Sequence, residues 1–153
     1  MVAAGVNRGH EVITTPLTFC ATSNVVLHQQ AIPRFADVTC DTLTIDPSSV
    51  EAHLSSKTKA ILPVDYAGHP ADLEELLLLG DRHGLVVIED AAHAAGSEYN
   101  GKKIGSHGEF VCFSFHPVKN LAMPTGGLIS INNQNHKKIT DDLKSKRWCG
   151  ISN

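Results

Sequence analysis

Leu85-Val86-Val87-Ile88-Glu89-Asp90 is the stretch on which the fold turns. Four apolar residues run without interruption and deliver two acids at their carboxyl end. A short apolar run of this kind fits a strand covered on both faces, as in a parallel sheet. Just upstream, Ala71-Asp72-Leu73-Glu74-Glu75-Leu76 opens a helix with acids in its first turn, where they suit the helix dipole. Gly84 ends it. Further back, residues 58–64 (Thr-Lys-Ala-Ile-Leu-Pro-Val) form a second buried strand, leading into a turn at 65–70. Asp46-Pro47-Ser48-Ser49 starts a helix that buries Val50 and Leu54, with proline in its first turn. Near the beginning, residues 11–15 and 32–36 read as short strands. A helix between them is capped by Thr18 and runs to about Gln30. Residues 2–6 read as the tail of a helix, stopped by Gly5 and Gly9. Downstream, Asn100-Gly101 marks a hairpin turn. Residues 110–115 and 128–131 are strands, and a polar helix covers about 135–146. Strands and helices alternating with short connections predict an α/β domain. Its sheet is mostly parallel, with helices on both faces.

Composition excludes several classes. The chain has 153 residues, 42% hydrophobic and 19% charged, within the range of a single soluble domain. A net charge of −3 without a basic run leaves no electrostatic footprint for nucleic acid. No apolar run approaches a membrane span, and the first residues lack the order of a signal peptide, so a cytoplasmic protein is expected. Cys20, Cys40, Cys112 and Cys149 are scattered, and mostly buried, reduced thiols are expected. The histidines show no HxxxH or HExxH spacing, and no metal site is expected.

In open α/β sheets ligands sit beyond the carboxyl ends of the strands. Those ends supply residues 16–19, 65–69, 90–93 and 114–119. One rim therefore gathers an aromatic, a carboxylate, histidines, a hydroxyl and a lysine. Lys119 follows the strand of Phe113 and Phe115, shortly before Gly126-Gly127. It reads either as a covalent attachment point beside an anion site or as a solvated loop lysine. Pyridoxal phosphate matches the whole set. It needs an amine, a carboxylate for its ring nitrogen, a flat partner for its ring, and donors for its phosphate.

Three motifs carry a resemblance: Gly9-His10-Glu11-Val12-Ile13-Thr14-Thr15-Pro16, Glu89-Asp90-Ala91-Ala92-His93-Ala94 and Ser114-Phe115-His116-Pro117-Val118-Lys119-Asn120. With Asp65-Tyr66-Ala67-Gly68-His69-Pro70-Ala71-Asp72-Leu73 between them, they resemble the DegT/DnrJ/EryC1/StrS sugar aminotransferases, pyridoxal-phosphate enzymes of fold type I. The resemblance spans nearly the whole chain. It implies that Lys119 carries the cofactor as a Schiff base and moves the proton in transamination, and that Asp90 pairs with the pyridinium nitrogen. It further implies that Phe19 stacks on the ring, Ser114 binds the phosphate, and His93 lies near the ring hydroxyl. His116 and His69 are left as scaffold. The substrates implied are a nucleotide-linked keto sugar and an amino donor such as glutamate, and the assembly implied is a homodimer.

The chain departs from the family pattern in two places. Met123-Pro124-Thr125-Gly126-Gly127 stands where many relatives carry an acidic Gly-Glu-Gly-Gly-like turn. The family's phosphate loop should precede Met1, and its smaller carboxy-terminal domain should follow Asn153. The expectation is therefore a partial cofactor-binding large domain over residues 1–153. Lys119 argues against the family's dehydrating branch, which replaces that lysine with histidine. A truncated, non-catalytic domain that binds a partner or sugar nucleotide, or self-associates, is the competing reading. A dinucleotide-binding module is weak, because no GxGxxG follows a strand.

Overall fold

The computed structural model describes residues 1–147. The chain opens with a short 3-10 turn at Val2–Ala4, stopped by Gly5 in the left-handed region (φ 69°). Strand β1 (Glu11–Thr14) leads through a turn to helix α1 (Ala21–Leu27), and β2 (Ile32–Phe35) and α2 (Pro47–Ala52) follow. Then come β3 (Thr58–Leu62), α3 (Leu73–His83) and β4 (Val86–Asp90). The short strands β5 (Glu98–Tyr99) and β6 (Lys102–Lys103) pair around Asn100-Gly101. Strands β7 (Phe110–Ser114) and β8 (Gly127–Ile131) and helix α4 (His136–Arg147) complete the described residues.

The main sheet has six strands in the order β2-β1-β3-β4-β7-β8. The first five are parallel and β8 runs antiparallel to β7. Strand β4 lies in the middle, between β3 and β7, which is why its sequence is apolar on both sides of the pleat. Alternation along each strand feeds two cores. Ile13, Ile61 and Val111 point to one face and pack with Val50 of α2 and Leu73, Leu76 and Leu79 of α3. Val12, Ala60, Leu62, Ile88 and Phe110 point to the other, where Val26 of α1 is buried and Ile139 of α4 packs alongside. The expected α/β architecture, with helices on both faces, is the one found.

Anchorage differs between helices. Helix α3 buries three leucines, each contributing about 1.5–3 kcal/mol, whereas α4 has no buried residue. Helix α3 is also well ended: Asp72 accepts from the Glu75 amide at 3.4 Å, and Gly84 closes it at φ 65°.

Three local expectations are corrected. Thr18 does not cap α1. Cys20 holds that position without a side-chain cap bond, because a tight turn after Pro16 uses up residues 16–19. The helix stops at Leu27, and Gln30 takes a positive φ of 55°. The cysteines are not mostly buried: Cys20 and Cys40 sit exposed on loops at the surface and only Cys112 is half-buried. All three are free, and Cys149 lies outside the described residues. Among the described residues no helix is long and apolar enough to cross a membrane.

Candidate functional site

Because β1, β3, β4 and β7 are parallel, their carboxyl ends open on one rim. A cavity of about 510 Å³ lies there, with Phe19, Thr22, Asp90, Ser114, His116 and Lys119 on its walls. Leu62, Ile88 and Cys112 contribute an apolar floor.

Asp90 is the last residue of β4 and is held from several sides. Its amide donates to Pro63 O at 2.9 Å and its carbonyl accepts from the Asp65 amide at 3.0 Å. On the side chain, Oδ2 accepts from the Thr22 hydroxyl at 2.8 Å and Oδ1 from the Ala92 amide at 3.2 Å. Thr22 is 4% exposed, and its oxygen accepts in turn from the Thr18 hydroxyl at 2.7 Å. The Thr18–Thr22–Asp90 relay thus fixes the carboxylate's orientation within the cavity wall. Burial first, then the Asp90 charge, push the neighbouring Cys112 thiol up to about 11. That floor residue is a neutral thiol at ordinary pH.

Lys119 is carried by the segment that reverses the chain between β7 and β8. Ser114 pairs with Gly127, the Phe115 amide donates to Gly126 O at 3.0 Å, and the Met123 amide donates to Phe115 O at 2.8 Å. Within the loop, the Lys119 amide donates to His116 O at 2.8 Å and the Val118 amide to His116 Nδ1 at 3.3 Å. Asn120 reaches across to Ala95 O at 2.7 Å, tying the loop to the segment after β4. The glycine pair is a steric requirement. Gly126 has φ 146°, and a Cβ on Gly127 would stand 2.8 Å from Phe113 O. Ser114 Oγ accepts from the His116 amide at 3.3 Å, which leaves its hydrogen free to donate.

Phe19 is 72% exposed at the cavity wall. Core packing, the ordinary alternative for a phenylalanine at a helix start, is therefore not its role. His93 is half-buried and stands outside the cavity lining. Its Nδ1 accepts from the Ala67 amide at 3.3 Å, and its ring meets Tyr66 edge-on at 6.1 Å. Burial first, and then the Lys119 charge, hold its imidazole below the ordinary value, with Asp90 opposing. A neutral ring with its proton on Nε2 fits that bond.

The structure thus brings Lys119, Asp90, Phe19 and Ser114 onto one cavity and leaves His93 beside it. Thr22 was not singled out by sequence, where a helix threonine carries no distinguishing signal except its spacing of four from Thr18. His116, read as scaffold, lines the cavity.

Comparisons with known proteins bear on the family and the fold. An uncharacterized protein of Methanocaldococcus jannaschii, MJ1066, is 45% identical over 152 residues, 99% of this chain and 39% of that protein. The DesV enzyme of S. venezuelae, solved in complex with a ketimine intermediate, superposes with a TM-score of 0.92 at 36% identity, covering 99% of this chain and 40% of that one. DesI, solved in the presence of its TDP-sugar product, gives a TM-score of 0.89 at 31% identity, over 98% of this chain and 37% of that one. The chain spans about two fifths of the length of these relatives. Residues 1–152 match the DegT/DnrJ/EryC1/StrS aminotransferase family, and the chain belongs to it.

Proposed function

We propose that this chain is part of the large domain of a pyridoxal-phosphate-dependent aminotransferase. Its reaction would move an amino group, from glutamate as donor, to the keto group of a nucleotide-linked sugar. The observation that carries the reading is Lys119 and an oriented Asp90 on the walls of one cavity, with an exposed aromatic ring beside them. The nearby relative solved with a TDP-sugar product supports the substrate class.

The residues fit the cofactor. A half-buried carboxylate already steered by Thr22 suits a protonated ring nitrogen, and Ser114 has a free hydroxyl hydrogen for a phosphate oxygen. Pyridoxal phosphate, when bound, supplies the electron sink that such a transfer needs. Asp90 holds the ring nitrogen's proton through its carboxylate. Phe19, exposed at the cavity wall, would cover one face of the ring and exclude water from it. Lys119 Nζ is the attachment point and afterwards the base that takes and returns the proton at the substrate carbon. His93, beside the cavity, would offer Nε2–H toward the ring hydroxyl. Further phosphate donors would come from the portions of the longer relatives that this chain does not span. In this reading the whole protein is a cytoplasmic homodimer.

The test is direct. Purified protein is mixed with pyridoxal phosphate, the visible absorbance is recorded, and borohydride is added before peptide mapping. A visible band and a pyridoxyl group on Lys119, absent from Lys119→Ala, are expected. Native protein that gives neither overturns the reading of this chain as cofactor-binding and leaves a non-catalytic domain.

A further inference from the structure

On β4, next to Asp90 but pointing to the opposite face of the sheet, Glu89 meets Asp65 in the core. Both residues are 0% exposed. Asp65 Oδ1 accepts from the Ala71 amide at 3.0 Å, whereas Asp65 Oδ2 and both carboxyl oxygens of Glu89 have no donor. The two side chains lie against each other, and the Gly108 amide approaches Glu89 without closing a hydrogen bond. Neither acid has a cationic partner in a salt bridge among the described residues. Two acceptor-only carboxylates in contact, dry and without a cation, would be heavily penalised, so the pair must retain a proton. One proton between them also turns an unsatisfied contact into a hydrogen bond.

We propose that Glu89 is a carboxylic acid in the folded protein at neutral pH, that it donates its proton to Asp65 Oδ2, and that the pair positions Asp90 at the cavity. The mechanical link is short. Asp65 donates its amide to the Asp90 carbonyl at 3.0 Å, and Glu89 is the residue before Asp90 in β4. Joining the two carboxyls adds a side-chain tie to the backbone bond between the end of β4 and the turn after β3. The facing groups agree. Asp90 raises Asp65 by its charge and His69 opposes it from the turn. Cys112 of β7 lies on the other face of the sheet with Asp90 and feels Glu89 only through its charge, and only amides, those of Ala71 and Gly108, approach from the start of α3 and the loop before β7. Burial, the leading cause in each, pushes Glu89 up to about 9 and Asp65 up to about 6, and the mutual contact adds to the rise in Glu89 while it lowers Asp65, as expected of a donor and its acceptor.

Both carboxyls bind protons more tightly folded than unfolded, where they titrate at about 4. Their contribution to stability is complete below that value. It falls as pH rises, through about 6 for Asp65 and about 9 for Glu89. In the native protein the melting temperature should therefore fall between pH 5 and pH 9, by roughly 5–10 °C. Glu89→Gln, which keeps a donor and cannot ionise, should flatten most of that fall and melt above native protein at pH 9. Infrared spectra of native protein at pH 7 should contain the carbonyl stretch of a protonated carboxyl that Glu89→Gln lacks. The same slope in Glu89→Gln, or no protonated-carboxyl band in native protein, overturns the proposal. The infrared measurement decides even where the variant does not fold.

The link to Asp90 rests on the function proposed above and has its own readout. Pyridoxyl labelling of Lys119 should survive in Glu89→Gln and fall at least tenfold in Glu89→Ala. Equal labelling in both variants would remove the positioning role while leaving the shared proton intact. Native protein that takes no label at all would refute the cofactor reading, and the melting and infrared data would still judge the acid pair.

Discussion

Thr22 and Asp90 are 68 positions apart in sequence, yet the threonine hydroxyl donates to the carboxylate at 2.8 Å. The contact joins α1 to the end of β4 and steadies the carboxylate in the cavity wall. A hydrogen bond to a charged acceptor contributes about 1.5–3 kcal/mol. Thr22→Val keeps the shape and removes the donor, so Asp90 should lose its fixed orientation. The affinity for pyridoxal phosphate, read by absorbance titration, should drop about tenfold or more. Unchanged affinity would show that the Ala92 amide alone orients the carboxylate.

Lys119→Arg separates charge from chemistry. The guanidinium keeps the positive charge on the cavity wall but cannot condense with an aldehyde. Borohydride should leave no pyridoxyl mass on residue 119, while weak, reversible binding of the cofactor persists. A labelled lysine elsewhere at equal yield would argue against Lys119 as the attachment point.

Gly127→Ala tests the turn that carries the lysine. The added Cβ would meet Phe113 O at 2.8 Å across the β7–β8 pair. Backbone cannot yield as a side-chain tip does, so the strands must separate locally, at a cost of about 1–3 kcal/mol. Thermal melting should show the loss, and labelling of Lys119 should fall with it. A variant with native melting temperature would mean that β8 shifts freely.

Alkylation distinguishes the cysteines. Cys112 is half-buried, and its thiol is pushed up to about 11, whereas Cys20 and Cys40 are exposed. Since the thiolate is the reacting species, iodoacetamide at pH 8 should label Cys20 and Cys40 in the folded protein well before Cys112. Mass mapping over a time course measures the order. Bound pyridoxal phosphate should slow Cys112 further, because that residue forms the cavity floor.

The parts of the fold that were legible in the sequence were those where one physical demand dominates. Strand β4 had to be apolar because it is covered on both sides, and α3 displayed its acids, its leucines and its closing glycine in order. The limits of α1 were not legible: Thr18 has a capping side chain, but the turn after Pro16 makes it a partner of Thr22 instead. At the site, strand ends led to Asp90, Ser114 and Lys119, since parallel topology alone brings such ends together. Thr22 and His116 escaped, because their importance comes from the partner each one meets and not from any pattern along the chain. Glu89 escaped differently. Beside Asp90 it looked like the second half of an acidic pair, and only the pleat sends the two carboxyls to opposite faces.

The antiparallel return of β8 has one more consequence. The segment bearing Lys119 is closed at its base by the Ser114–Gly127 pair, and four more residue pairs continue the zipper from there to Phe110–Ile131. A protease that nicked this segment would leave two stumps still clasped in the same sheet. The severed chain would travel as one particle under native conditions and fall into two only in denaturant, with its lysine displaced although the scaffold remained whole.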